Sequence, residues 1–123
     1  MKNSQLARLD DKELIERFLI AAKQMGMAVL DSEVRKANRV FQILWDIDLL
    51  LRSRGREARL KLLPLLDDKD RFVRYYAAIK LLGLVPDRAR AIIEWIHKYW
   101  FDALAGDAGM TLHNLDTGVF KPD

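Results

Sequence analysis

The sequence predicts an all-α fold of about three short helical hairpins stacked as an α-α superhelix. Three observations carry this. Apolar residues recur at helical spacing along most of the chain. No stretch alternates with period two for long enough to make a strand. Short connections separate the periodic segments, and short loops make consecutive helices antiparallel neighbours.

The first helix is predicted from Asp10, a cap paired with Glu13 in a capping-box spacing. It runs to about Leu30, with Leu14, Phe18, Ala21, Ala22, Met25 and Val29 inward. Asp31-Ser32 is read as the cap of a second helix that ends near Ser53. That helix has two apolar faces, one with Val34, Ala37, Phe41, Leu44 and Leu51, the other with Val40, Ile43, Ile47 and Leu50. Apolar over most of its circumference, it is expected to lie between neighbours. Gly55 is expected to close it in the left-handed conformation.

A third helix is expected over Arg56 to Leu66, bent or shortened by Pro64, which has no backbone donor. Asp67 to Asp70 is read as the turn and cap of a fourth helix, Arg71 to Leu84, with Val73, Ala77, Leu81 and Leu84 as its core stripe and Tyr76 beside it. Pro86 and Asp87 suit the first turn of a fifth helix reaching about Phe101. Gly106 and Gly109 flank a short sixth helix, Asp107 to Leu115. Thr117 to Asp123 is a tail. Leu112, Leu115, Val119 and Phe120 are apolar, so the tail is expected to pack back over the fifth helix.

Composition narrows the function. A length of 123 residues suits one domain, residues 1–123. Half the residues are hydrophobic and 32% are charged, as in a globular protein. With no cysteine, disulfides, thiolate nucleophiles and Cys-based metal sites are excluded. The N-terminal stretch lacks an apolar h-region, and apolar runs such as Ile47 to Leu51 are far too short for a bilayer. A cytoplasmic protein with no membrane partner is expected.

The net charge of +3 is uneven. Residues 32–85 are basic and residues 86–123 acidic, but blocks of like charge are absent. Arg52, Arg54, Arg56, Arg59 and Lys61 cluster at one turn. They could grip phosphates, or they could be a solvated turn whose cations suit the end of a helix.

Few residues point to chemistry. His97 and His113 are the only histidines and occur without a metal-binding motif, so packing or surface roles are expected and no metal or cofactor. Asp46 and Asp48 lie in the apolar run from Ile43 to Leu51. Asp48 falls on a core stripe and is read as a structural carboxylate paired with an arginine of the next helix, such as Arg74. No nucleophile or second acid accompanies it, so no enzyme is expected. Trp95, Tyr99, Trp100 and Phe101 point in successive directions around their helix. Most are expected in the core, with a partner-binding patch as the alternative.

Leu62-Leu63-Pro64-Leu65-Leu66-Asp67, followed by Val73-Arg74 and Ala77-Ala78, resembles a HEAT repeat, with the unit at about 56–84. That resemblance implies that Asp67 caps the turn and that Arg74 ties neighbouring turns together. The whole chain is also similar to a small prokaryotic family known only as a domain of unknown function. That likeness rests on Lys36-Ala37-Asn38-Arg39, the HEAT-like unit, and the ending from Gly106-Asp107-Ala108-Gly109 to Lys121-Pro122. It implies a fold and no established activity.

These readings converge on a helical module that acts by binding a protein, as a monomer or weak homo-oligomer. Its contact residues are expected at positions pointing away from the core stripes: Arg35, Arg39, Gln42 and Asp46 on the second helix, Arg71 and Tyr75 on the fourth. Asp48, Asp67 and Arg74 are expected to be structural. The second reading is a nucleic-acid module using the basic middle of the chain.

Overall fold

The structure is a computed structural model that describes residues 3–123, with side chains from Gln5 onward. All regular structure among them is helical: α1 (Asn3–Leu6), α2 (Asp11–Leu30), α3 (Val34–Arg54), α4 (Arg56–Leu60), a 3-10 turn (Leu63–Asp67), α5 (Arg71–Leu81), α6 (Pro86–Tyr99) and α7 (Ala103–Asp116). The chain divides into two compact units, Met1–Leu65 and Leu66–Asp123.

In the first unit α2 packs along α3. Leu14, Phe18, Ala21, Ala22 and Ala28 of α2 and Val40, Leu44, Ile47 and Leu51 of α3 are buried. The capping box forms as its spacing predicts: Asp10 accepts from the Glu13 amide at 2.8 Å, and Glu13 accepts from the Asp10 amide at 3.3 Å. Asp31-Ser32 does not cap α3. Ser32 takes a left-handed φ of 57°, and the Ser32 and Glu33 amides bond back to Val29 and Ala28 at 3.2 and 2.8 Å. This is a Schellman ending for α2. With Ser32 used there, α3 starts without a side-chain cap and without an acid in its first turn. Gly55 has φ 110° and ψ 176°, a glycine-only region distinct from the left-handed helix expected there.

A clamp on Asp11 joins the two ends of this unit. Arg54 donates to one carboxylate oxygen at 2.9 Å and Lys61 to the other at 2.8 Å. Arg54 also reaches the Leu9 and Ala7 carbonyls at 2.7 and 3.2 Å. The hydrogen bond from Lys61, then that from Arg54, holds the Asp11 carboxyl below its ordinary value of 3.8. A carboxylate depressed in the fold stabilises it above the unfolded value, and this contribution is lost as pH falls through the depressed value. The urea midpoint of wild type should therefore exceed that of Asp11→Asn by a constant amount near neutrality. The gap should shrink once pH drops below 3.8. A gap unchanged at strongly acid pH would refute the clamp.

In the second unit α6 packs against both α5 and α7. The cap of α5 is Asp70, which accepts from the Phe72 and Val73 amides at 2.8 and 3.4 Å. Asp67, expected to cap, is instead exposed and pairs with Arg88 at 2.7 Å. It ends the 3-10 turn that Pro64 imposes in place of a continuous third helix. Pro86 opens α6 and Asp87 lies in its first turn, as expected. The last helix begins before the predicted Asp107 because Asp102 caps it, accepting from the Ala105 amide at 3.1 Å.

The tail departs from its expectation. Val119 is 75% exposed, while Leu112, Leu115 and Phe120 are half-buried. The return to the unit is made farther on, at Asp123. A Cβ on Gly83 would collide with the Asp123 backbone, so only glycine admits the tail at this turn.

Candidate interaction surface

The core side of α3 is set by Val40, Leu44, Ile47 and Leu51, which leaves two flanks. Along one, Phe41, Trp45 and Leu49 recur about one turn apart and are 46%, 46% and 50% exposed. The Phe41 and Trp45 rings stack with centroids 6.5 Å apart. Phe41 was expected inward with Leu44 and Leu51, and Trp45 and Leu49 were on neither expected apolar face; all three stay half-exposed at the surface. Helical spacing shows that a face is apolar, but it cannot show whether another helix covers it.

The opposite flank borders a groove of about 490 Å³ between α2 and α3. Lys36 and Arg39 line it with Gln24 from α2, above a floor of Val40 and Ile43. Gln42 and Asp46 also line it, and the Gln42 amide donates to Asp46 at 2.9 Å. Three of the expected contact residues, Arg39, Gln42 and Asp46, thus share one groove. Arg35 is exposed one turn before Arg39 and does not line it.

Arg71 and Tyr75 are not surface contacts. Tyr75 is fully buried. Its hydroxyl donates to Asp107 at 2.6 Å and lies 3.0 Å from the Thr111 hydroxyl. Burial, then the bond to Asp107, pushes its ionisation above the ordinary phenol range, so it stays protonated. Arg71 pairs with Asp102 at 2.5 Å, with its side chain 14% exposed. Its guanidinium lies 4.6 Å from the Phe72 ring centroid and 4.1 Å from that of Trp100. Choosing Val73, Ala77 and Leu81 as one stripe placed Tyr75 outside, but α5 is buried on several sides, including Phe72, Tyr76 and Ala78.

The structural residues also find other partners. Asp48 is buried as expected, but the arginine at 2.9 Å is Arg52 of its own helix. The i,i+4 rule would have found this pair. Among the described residues Arg74 makes no hydrogen bond to a turn. Its guanidinium lies 4.2 Å from the Trp95 ring centroid, and its Nε is buried without a hydrogen-bond partner.

The basic cluster at the α3–α4 turn is largely committed. Arg52 holds Asp48, while Arg54 and Lys61 hold Asp11. Arg59 is 9% exposed. The aromatic run, expected mostly in the core, is mostly outside it: Ile93 and Ile96 carry the buried face of α6, while Tyr99 is 60% exposed, Trp100 38% and Phe101 98%. Trp95 and Trp100 meet edge to face with centroids 6.2 Å apart. His97 Nδ1 lies 3.2 Å from the Ala105 carbonyl and links α6 to α7. Among the described residues no three His, Cys, Asp or Glu side chains gather to hold a metal, and no helix is long and apolar enough to cross a membrane.

The chain is similar to a solved structure, the crystal structure of the protein RPA1889 from Rhodopseudomonas palustris CGA009, with 34% identity and a TM-score of 0.88. The match covers 96% of this chain and 98% of that one. No curated protein matches it. A family profile covers residues 12–116, and the chain accordingly belongs to the family described as a domain of unknown function, DUF2019.

Proposed function

We propose that this is a non-enzymatic, HEAT-like helical module of the cytoplasm that binds a protein through the exposed side of α3. The observation that carries this reading is the stacked, half-exposed Phe41–Trp45 pair, continued by Leu49, beside a polar groove. Large aromatics with a polar border have the composition of an interface anchor, since they bury much area at little rotamer cost. The nucleic-acid alternative loses support because Arg52, Arg54 and Lys61 are held by carboxylates of the same unit. The HEAT-like reading draws on local order alone, namely α4, a proline turn, then a helix capped by Asp70 with Val73, Ala77 and Ala78 buried.

Affinity capture from source-cell lysate tests it. The tagged wild-type chain should retain a protein that Phe41→Ser with Trp45→Asp releases, weakening binding roughly thirtyfold or more if the pair is a hot spot. Arg56→Glu should keep that protein. Identical retention by wild type and the aromatic variant would overturn the reading, as would retention of no protein at all.

A further inference from the structure

We propose that the groove between α2 and α3 takes an acidic segment of the protein partner, its carboxylates held by Lys36 and Arg39. This inference rests on the protein-binding reading and specifies the chemistry of the bound segment.

The first argument is charge without partners. Arg54, Lys61, Arg71, Arg88 and Arg90 each have a carboxylate within 4 Å. Among the described residues, Lys36 and Arg39 have none, and neither does Arg35. These three cations stand at the start of one helix, at i, i+1 and i+4, where like charges repel. They also oppose the dipole of α3, whose first turn holds no acid. Such a cluster lowers the stability of the isolated helix, and among the described residues no ion pair relieves it. Local conflicts of this kind are expected where a surface serves a ligand.

The second argument is the lining. An anion alone would need cations only. This groove adds an apolar floor, Val40 and Ile43, and the side-chain amides of Gln24 and Gln42. An amide offers both donor and acceptor, the complement of a peptide backbone. The floor accepts an aliphatic side chain, while Lys36 and Arg39 meet carboxylates on either side of it. Asp46 sits in the same groove. It accepts from Gln42 and forms no ion pair with Lys36 or Arg39; it would repel a continuous phosphate track but tolerates spaced carboxylates. Acidic peptide is therefore favoured over nucleic acid.

The test uses the full chain and three fluorescent probes of about twelve units each, a length that spans a helical groove. The probes are a peptide alternating glutamate and leucine, the same peptide with glutamine for glutamate, and an oligothymidylate. Anisotropy at low salt should show the glutamate peptide binding about tenfold or more tightly than the glutamine peptide, the effect of one good charge contact. Lys36→Glu with Arg39→Glu should abolish that preference, and Arg56→Glu should leave it intact. Circular dichroism checks that both variants keep their helices. Equal binding of the two peptides overturns the proposal, as does a charge-reversed groove that still prefers glutamate. Tighter binding of the oligothymidylate, lost in the same double variant, reassigns the groove to nucleic acid and overturns it too. If lysate capture depends on Phe41 and Trp45 while the glutamate peptide fails, only the acidic segment falls and the protein-binding reading stands.

Discussion

Replacing Tyr75 with alanine is expected to destabilise the protein by about 3–5 kcal/mol, the range for emptying a large aromatic from a packed core. Tyr75 is among the largest fully buried side chains and packs edge to face on Tyr76, ring centroids 5.3 Å apart. Tyr75→Phe keeps the ring and deletes the hydroxyl that Asp107 and Thr111 share. Asp107 is exposed and can turn to water, so the loss should be only about 1–2 kcal/mol. Urea unfolding of both variants separates packing from hydrogen bonding. If Tyr75 were instead a solvent-facing contact residue, alanine would change stability by no more than about 0.5 kcal/mol.

Asp102→Ala is expected to cost about 2–4 kcal/mol, because one carboxylate performs two tasks. As the cap of α7 it satisfies the Ala105 amide, a role worth about 1 kcal/mol. As the partner of Arg71 it neutralises a guanidinium enclosed by Phe72 and Trp100. Leaving a largely buried charged donor without its acceptor adds about 1–3 kcal/mol. Asp102→Asn retains a capping oxygen and loses the charge, so it should fall between wild type and alanine. Thermal melts of the three proteins should rank in that order. Asparagine melting with alanine would mean that the cap contributes nothing.

The legible parts of the sequence were those governed by neighbours a few residues apart. The Asp10–Glu13 box, the proline start of α6 and the shortening at Pro64 all follow from local rules. The misreadings came where one residue had two possible employers. Ser32 could cap α3 or end α2, and it ends α2. Asp102 lay in the connection between the fifth helix, read to about Phe101, and the sixth, read from Asp107, so its capping role went unseen and α7 was started late. Tyr75 required knowing how many sides of α5 are covered, and periodicity counts only one. On α3 the residue types of the surface were readable, including Arg39, Gln42 and Asp46. The groove was not, because Gln24 arrives from another helix. The exposed state of Phe41 and Trp45 was also hidden, since an apolar residue looks the same in sequence whether covered or bare.

The Asp11 clamp spans 43 residues to Arg54 and 50 to Lys61, whereas α2 and α3 meet through a three-residue turn. Closing the long loop is entropically costlier, so the hairpin is expected to form first and the clamp afterwards. An interaction made after the folding barrier governs departure from the native state more than arrival. In a chevron plot, Asp11→Asn should raise the unfolding limb and leave the folding limb in place. The clamp then acts as a latch on the lifetime of the first unit, and its release sets how often the hairpin that presents the α3 surface comes apart.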